Sequence, residues 1–365
     1  MRLVWSKVSS LVVVLLVTGM GEKPSLIQAP AMREARAGHT ATLLPDGQVL
    51  VTGGCVVDGC DGGLTPSAEL YDPVQNTFST ASDLAVARVG HQAVMLPTNK
   101  VLILGGWAGD EVTATAERYD PKTGQFEVVG EMLEPRDGFT ATQLQDGRVL
   151  VTGGYNGSMN RLSSAELYDP ATGRFKATTP MHETRMSHSA SLLPDGRVLI
   201  VGGSRARGDV SATAEIFDPV TQQFSLVGDL NTPRHKHAAV VLQDGKVLIV
   251  GGAGVGDWSE QYNSTELFDV ATLSFRPAAT MTTQRFKLPD AVTLLSSGEV
   301  LVAGGGARAE IYQPETDTFS PAAGVLGFDL AYTTTTPLQD NRVLIAGGYS
   351  ESIQVVNNAW LYGAN

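Results

Sequence analysis

Cysteine is scarce in this chain: Cys55 and Cys60 are the only two in 365 residues. No His lies within Cys-Val-Val-Asp-Gly-Cys, and Asp58 and Asp61 alone make a poor ligand set, so the pair reads as a small disulfide-closed loop and not as a metal centre. Basic residues are also in short supply. Lys and Arg number 26 against 38 Asp and Glu, giving a net charge of −12 and a pI of about 4.9. Such a balance lacks the basic footprint of a nucleic-acid binder, and no nucleic-acid partner is expected. Long apolar runs are missing too. The longest, Leu11-Val-Val-Val-Leu-Leu-Val17, falls short of the roughly 20 residues a membrane helix needs. Arg2 and Lys7 ahead of it and Thr18-Gly-Met-Gly21 behind it fit a signal peptide over residues 1–21. The expectation is an exported protein, secreted, periplasmic or at the cell surface, with residues 22–365 as one domain and no membrane span after cleavage. Gly-x-Ser-x-Gly, His-Glu-x-x-His and a phosphate loop are absent, and the Gly-rich segments precede no helix, so a dinucleotide site is not expected either. No cofactor and no metal are expected.

Glycine, by contrast, is abundant, at 40 residues. Gly pairs fall at 53/54, 105/106, 153/154, 202/203, 251/252, 304/305 and 347/348, spaced 43 to 53 residues apart. A period near 50 marks an array of one supersecondary unit. Each unit reads as four strands. The first is small and apolar, as in His39-Thr-Ala-Thr-Leu-Leu44, and ends in a turn such as Pro45-Asp-Gly47 or Pro194-Asp-Gly196, where Gly accepts the positive φ of a tight hairpin. The second is Val-Leu-(Val/Ile)-x-Gly-Gly, apolar throughout and so buried on both faces. The third is Ala-Glu-Leu-Tyr-Asp-Pro at 68–73 and 165–170, with close variants elsewhere, and the fourth carries one aromatic: Phe78, Phe126, Phe175, Phe224, Phe275 or Phe319.

The Gly-Gly after an apolar strand, the third-strand Tyr or Phe and the aromatic beyond the Asp-Pro turn resemble the kelch repeat, over nearly the whole chain from residue 22. The resemblance implies an all-β fold, a seven-bladed kelch-type β-propeller with four antiparallel strands per blade. The seventh copy ends at Ala359-Trp-Leu-Tyr362, a third strand. Ser25-Leu-Ile-Gln-Ala29 fits the missing fourth, so an N-terminal strand completes the last blade and closes the ring. Closure leaves no exposed sheet edge, and a monomer is expected.

Counting back from each first Gly brings out a register. Fourteen residues earlier stand His39, His91, Phe139, His188, His237, Asp290 and Thr333. Three residues before those stand Arg36, Arg88, Arg136, Arg185, Arg234, Lys287 and Leu330. These would sit near the channel mouth. Residue types that recur in most blades answer a need most blades share, so Arg, His and the third-strand Glu are expected to pair within or between blades; surplus Arg would leave a cationic mouth for a carboxylated or phosphorylated ligand.

Function is sought where the copies differ. Loops after Gly-Gly and linkers before inner strands share one face, which offers Trp107, Asp110, Tyr155, Asn156, Arg161, Arg205, Arg207, Trp258 and Tyr262. Aromatic rings beside amides and charges suit sugars or peptides. The expected function is non-catalytic binding of a glycan or protein through this face. The alternative is a carbohydrate-active enzyme with a site at the channel mouth, since kelch propellers include galactose oxidase and sialic acid epimerases. The oxidase uses Tyr and His copper ligands and a Cys–Tyr link; the Cys and His of this chain do not align with that set, and no catalytic residue is carried over. A structural cell-surface module is a third possibility.

Overall fold

Six of the seven Val-Leu-rich runs form four-residue strands with every residue buried: Val49–Thr52, Val101–Leu104, Val149–Thr152, Val198–Val201, Val247–Val250 and Val343–Ala346. The seventh, Val300–Val302, is buried throughout as well. Each is the second strand of a four-stranded antiparallel sheet, and there are seven such sheets. The computed structural model describes residues 23–60, 62–158, 160–350 and 352–363, the side chain of Arg207 excepted. The proposed signal peptide therefore lies outside the described residues.

The first strands, such as Thr40–Leu43 and Gln92–Met95, are innermost. Each lies beside the first strands of its two neighbours, and the ring closes between Thr334–Pro337 and Thr40–Leu43. Six blades are built from consecutive strands. The seventh takes three strands from the C-terminal end and its outer strand from Ser25–Ala29, which pairs antiparallel with Ala359–Gly363 from Ser25↔Gly363 to Ala29↔Ala359. One short extra hairpin, Trp107–Ala108 with Glu111–Val112, rises from the second blade.

Because the second and third strands are buried on both faces, the core is not one cluster but a series of layers between blades. Val49, Val51, Tyr71 and Phe78 of the first blade meet Leu344, Ala346 and Leu361 of the seventh. Within each of the first six blades the third-strand Tyr or Phe packs on the fourth-strand Phe with ring centres 4.8–4.9 Å apart. Cys55 and Cys60 form a disulfide with a Cα–Cα distance of 5.3 Å. Among the described residues no helix is long and apolar enough to cross a membrane.

Candidate functional site

The arginine register does not line the mouth. Arg36, Arg88, Arg136, Arg185 and Arg234 are fully buried between strands. Each guanidinium reaches the third-strand glutamate of its blade, at 2.7–3.0 Å in Arg36–Glu69, Arg88–Glu117, Arg136–Glu166, Arg185–Glu215 and Arg234–Glu266. Each also donates to the carbonyl of the first paired Gly, as from Arg136 to Gly153 at 2.6 Å. The second carboxylate oxygen accepts a backbone N–H of the incoming linker, Leu133 in the case of Glu166. A buried pair satisfied in this way tolerates its desolvation. The expected cationic mouth made of surplus Arg is therefore corrected: the arginines are neutralised inside the wall.

In the sixth blade the same place is taken by Arg285, which pairs with Glu310 at 2.8 Å and donates to Gly304 O at 2.7 Å. The separation from Arg to Gly is 19 residues there and 17 in the first five. Two extra residues precede the inner strand, so counting back from Gly304 lands on Lys287 and Asp290 where Arg285 and Leu288 do the work. Leu288 is buried against Gly251, as His237 is against Gly202.

The four histidines are seam residues. Each presents Nε2 to a hydroxyl on the preceding blade: His39 to Thr334, His91 to Thr40 and Thr52, His188 to Thr140 and Thr152, His237 to Ser189. Burial, then the nearby arginines, holds His39 and His188 down to about 3 and His91 and His237 well below the usual 6.5. They are neutral at physiological pH, and among the described residues no three His, Cys, Asp or Glu converge as a metal site.

The mouth itself is made by the residue two places after each arginine, or after Leu330 in the seventh blade. Gly38, Gly90, Gly138, Ser187, Lys236, Lys287 and Tyr332 all hold left-handed backbone, with φ between 52° and 69°. Backbone hydrogen bonds run from blade to blade through this ring, including Gly90 N to Gly38 O, Lys236 N to Ser187 O and Tyr332 N to Lys287 O, at 2.9–3.1 Å. A side chain in this conformation costs of order 1–2 kcal/mol. Three consecutive blades avoid that cost with glycine; the other four carry serine, two lysines and tyrosine, so the strain concentrates on one side of the channel.

That side opens on a cavity of about 650 Å³. Lys236 Nζ pairs with Asp257 at 2.7 Å, and His235 Nε2 lies 3.4 Å from the same carboxylate. Burial opposes the charge on Asp257, but His235 and Lys236 outweigh it and hold the carboxyl well below its usual range. Lys287 is buried, and its Nζ stands 4.2 Å from the Trp258 ring centre with Phe286, Tyr332 and Tyr349 around it. It donates to the Tyr349 hydroxyl. Burial and then the Lys236 ammonium bring Lys287 down to about 8, against the pull of Asp257. Across the cavity stand Trp107 and Asp137. Burial pushes Asp137 up to about 6, although the Trp107 indole and the Gly138 N–H hydrogen-bond to it.

Of the residues singled out from sequence, Trp107, Trp258 and the four seam histidines His39, His91, His188 and His237 line this cavity, as does Cys60 of the disulfide. Tyr155 flanks Trp107 at 6.1 Å between ring centres. Asp110 is exposed in the tight turn between Trp107–Ala108 and Glu111–Val112. Asn156 Oδ1 caps its own turn through Ser158 N, Arg205 pairs with Glu183 at 3.3 Å, and Tyr262 stacks on Arg234 while donating to Glu260. Arg161 lies half-buried in the loop bridged to Tyr155. The Lys236–Asp257 and Lys287–Tyr349 pairs were missed. Their sequence signal is the alignment Arg36-Ala-Gly-His, Arg234-His-Lys-His, Arg285-Phe-Lys-Leu, in which the third position changes from glycine to lysine.

Comparison with known proteins agrees with this architecture. A sequence profile of the KLHDC2/KLHL20/DRC7 Kelch-repeats domain matches residues 90–306, well over half of the chain. No curated protein matches the sequence. Among solved structures, a novel fungal alcohol oxidase with catalytic diversity among the AA5 family, in complex with copper, superposes with a TM-score of 0.74 at 15% identity, covering 94% of this chain and 76% of its own. YjhT superposes with a TM-score of 0.60 at 13% identity, covering 91% and 96%. Identities this low speak for the fold alone. With seven four-stranded blades, the repeated Gly-Gly strand ends and the profile match, the chain belongs to the kelch-repeat family of β-propellers.

Proposed function

We propose that the protein is an exported binding propeller that takes a polar ligand, a glycan or a protein segment, in the central mouth of its loop face. The observation that carries this reading is the left-handed backbone of Lys236 and Lys287. Three sister blades give the position to glycine, and the lysines place two amino groups in a cavity walled by Trp107 and Trp258. Strain retained without structural need is found at functional sites. Aromatic faces beside amino and carboxyl groups provide stacking with directed hydrogen bonds. The disulfide suits an oxidising compartment, which supports export and the signal peptide over residues 1–21. The test is a glycan and peptide array probed with the mature protein and with Trp107→Ala and Trp258→Ala. Binding that each change weakens by roughly tenfold supports the mouth as the site; binding indifferent to both places it elsewhere.

A second reading, acid–base chemistry on a carbohydrate, draws on one observation. Asp137 at about 6 and Lys287 at about 8 border the same cavity, each moved toward neutrality from its ordinary range. Such pairs cluster at active sites. A copper oxidase version does not fit: both cysteines are bound to each other, and the seam histidines face hydroxyls of neighbouring blades. Incubation with reducing sugars, followed by NMR for anomer or epimer exchange, tests this reading. No acceleration by the native protein removes it.

A further inference from the structure

Lys287 is an odd choice for its surroundings. Ring centres of Trp258, Tyr349, Phe286 and Tyr332 lie 4.2, 4.9, 5.1 and 5.5 Å from its Nζ. A leucine or methionine would fill such a pocket without the cost of desolvating an amine. The carboxylate of this corner, Asp257, is paired with Lys236 through Oδ2, and its Oδ1 lies 3.4 Å from His235 Nε2. The polar partner of Lys287 is the Tyr349 hydroxyl, a group able to give and take a proton. The pocket opens on the mouth cavity, so a small molecule entering it meets the amine.

We infer that Lys287 is a carbonyl-reactive amine, poised to condense with a polar aldehyde or ketone that enters the mouth, with Tyr349 as its proton donor. A desolvated lysine near a second cation is the usual form of such a nucleophile. Titration near 8 leaves about a tenth of the side chain as free amine at neutral pH.

The nitrogen lone pair attacks the carbonyl carbon, and the C–N bond forms as the C=O π pair moves to oxygen. That oxygen takes a proton from Tyr349, and the nitrogen returns one to the phenol. The nitrogen lone pair then expels the hydroxyl group, which leaves as water with a second proton drawn from solvent, to which the ammonium gave up one proton on becoming the free amine. The net change is ammonium plus carbonyl to protonated imine plus water, with nothing oxidised or reduced. The positive charge of the imine remains among the same ring faces, which stabilise it as they stabilise the ammonium. The cage therefore favours the product and not only the resting state.

The inference does not rest on the binding reading, because a small carbonyl probe reports on the amine whether or not a glycan or protein occupies the mouth. The full chain is incubated at pH 7 with glyceraldehyde or with pyruvate, each with sodium cyanoborohydride, which traps the imine as a stable secondary amine. Peptide mass mapping then gives the rate at each lysine. Lys287 is expected to be labelled at least roughly tenfold faster than exposed Lys122. Tyr349→Phe keeps the packing, verified by its melting curve, and is expected to slow labelling of Lys287 by roughly tenfold. Preference for glyceraldehyde assigns a neutral carbonyl, and preference for pyruvate a carboxylated one. Labelling of Lys287 no faster than Lys122 with both probes overturns the inference and leaves the lysine a structural cation. An unchanged rate in Tyr349→Phe overturns the role of the phenol.

Discussion

Leu330 and Trp360 occupy, in the seventh blade, the two places that arginine and glutamate hold in the other six. Trp360 lies opposite Ile345 as Glu69 lies opposite Val51, and both residues are buried in one apolar cluster. The fold has thus performed its own exchange of an ion pair for a hydrophobic one. The ring closes through this blade, where the outer strand comes from the other end of the chain and is joined by hydrogen bonds and packing alone. Apolar side chains make that junction without requiring two charges to be desolvated each time it forms.

That exchange predicts how the other blades respond to substitution. Glu166→Ala leaves the buried Arg136 with the part-exposed Glu134, 3.3 Å away, as its remaining carboxylate, and is expected to cost about 3 kcal/mol. Arg136→Met combined with Glu166→Leu removes both charges and is expected to cost less than the single change. Urea midpoints of the three proteins decide the matter. A double variant no more stable than Glu166→Ala would show that the pair contributes more than the mutual cancellation of its charges.

The buried imidazoles predict a dependence on pH. Unfolded, each titrates near its ordinary 6.5; folded, His39 and His188 titrate only near 3. Between those values the unfolded chain binds more protons than the native one. Stability is therefore complete above about pH 6.5 and falls as the pH drops toward 3, by up to about 1.4 kcal/mol per pH unit for each histidine. Phe139 fills the same seam position in the third blade, against Leu104. His188→Phe is accordingly expected to fold and to lose one histidine's share of the acid sensitivity. Melting temperatures from pH 7 to pH 3 check this, and parallel curves for the two proteins would refute it. The raised Asp137 acts in the opposite sense but equally in both proteins, so the difference isolates His188.

The blades were legible because their causes are local: Gly pairs, Asp-Gly turns and Val-Leu runs each dictate backbone where they stand. Ring closure was legible too, since Ala359–Gly363 lacked a partner and Ser25–Ala29 lacked a blade. The mouth was legible only in part. Trp107 and Trp258 stand out with Tyr155 and Tyr262 as aromatics of the variable loops, but Lys236, Asp257, Lys287 and Tyr349 come from three blades and gain meaning only where these converge. The sixth blade shows the limit most clearly. Two added residues before its inner strand shift the count, so counting back from Gly304 puts Lys287 in the register of the wall arginine when Arg285 already fills that place.

The disulfide predicts a modest, local effect. Closing so small a loop lowers the entropy of the unfolded chain by an amount equivalent to about 2 kcal/mol. Cys60 lines the mouth, and Gly59 beside it takes a backbone bond to Ile353 O of the seventh blade. Cys55→Ser with Cys60→Ser is expected to lower stability by about that amount and to raise hydrogen exchange in the 55–64 loop while leaving the blades protected. Loss of protection throughout the first and seventh blades would contradict a local role.

Lys236 tests whether the strained mouth serves chemistry or folding. Lys236→Gly relieves a left-handed side chain, worth of order 1–2 kcal/mol, but adds roughly 0.5–1 kcal/mol of unfolded-state entropy. It also removes the half-exposed pair with Asp257, worth up to about 1 kcal/mol. These terms nearly cancel, so stability is expected to move by no more than about 1 kcal/mol. The effect on Lys287 is not balanced in this way. It loses a neighbouring cation, and Asp257, freed of its partner, pulls more strongly; both changes favour the ammonium. With Tyr332 and Tyr349 left in place, the inflection in the pH profile of carbonyl labelling at Lys287 is expected to rise from about 8. Labelling at pH 7 should slow accordingly. A fall in stability of several kcal/mol, with the inflection unmoved, would make Lys236 a structural residue and sever it from the chemistry of the mouth.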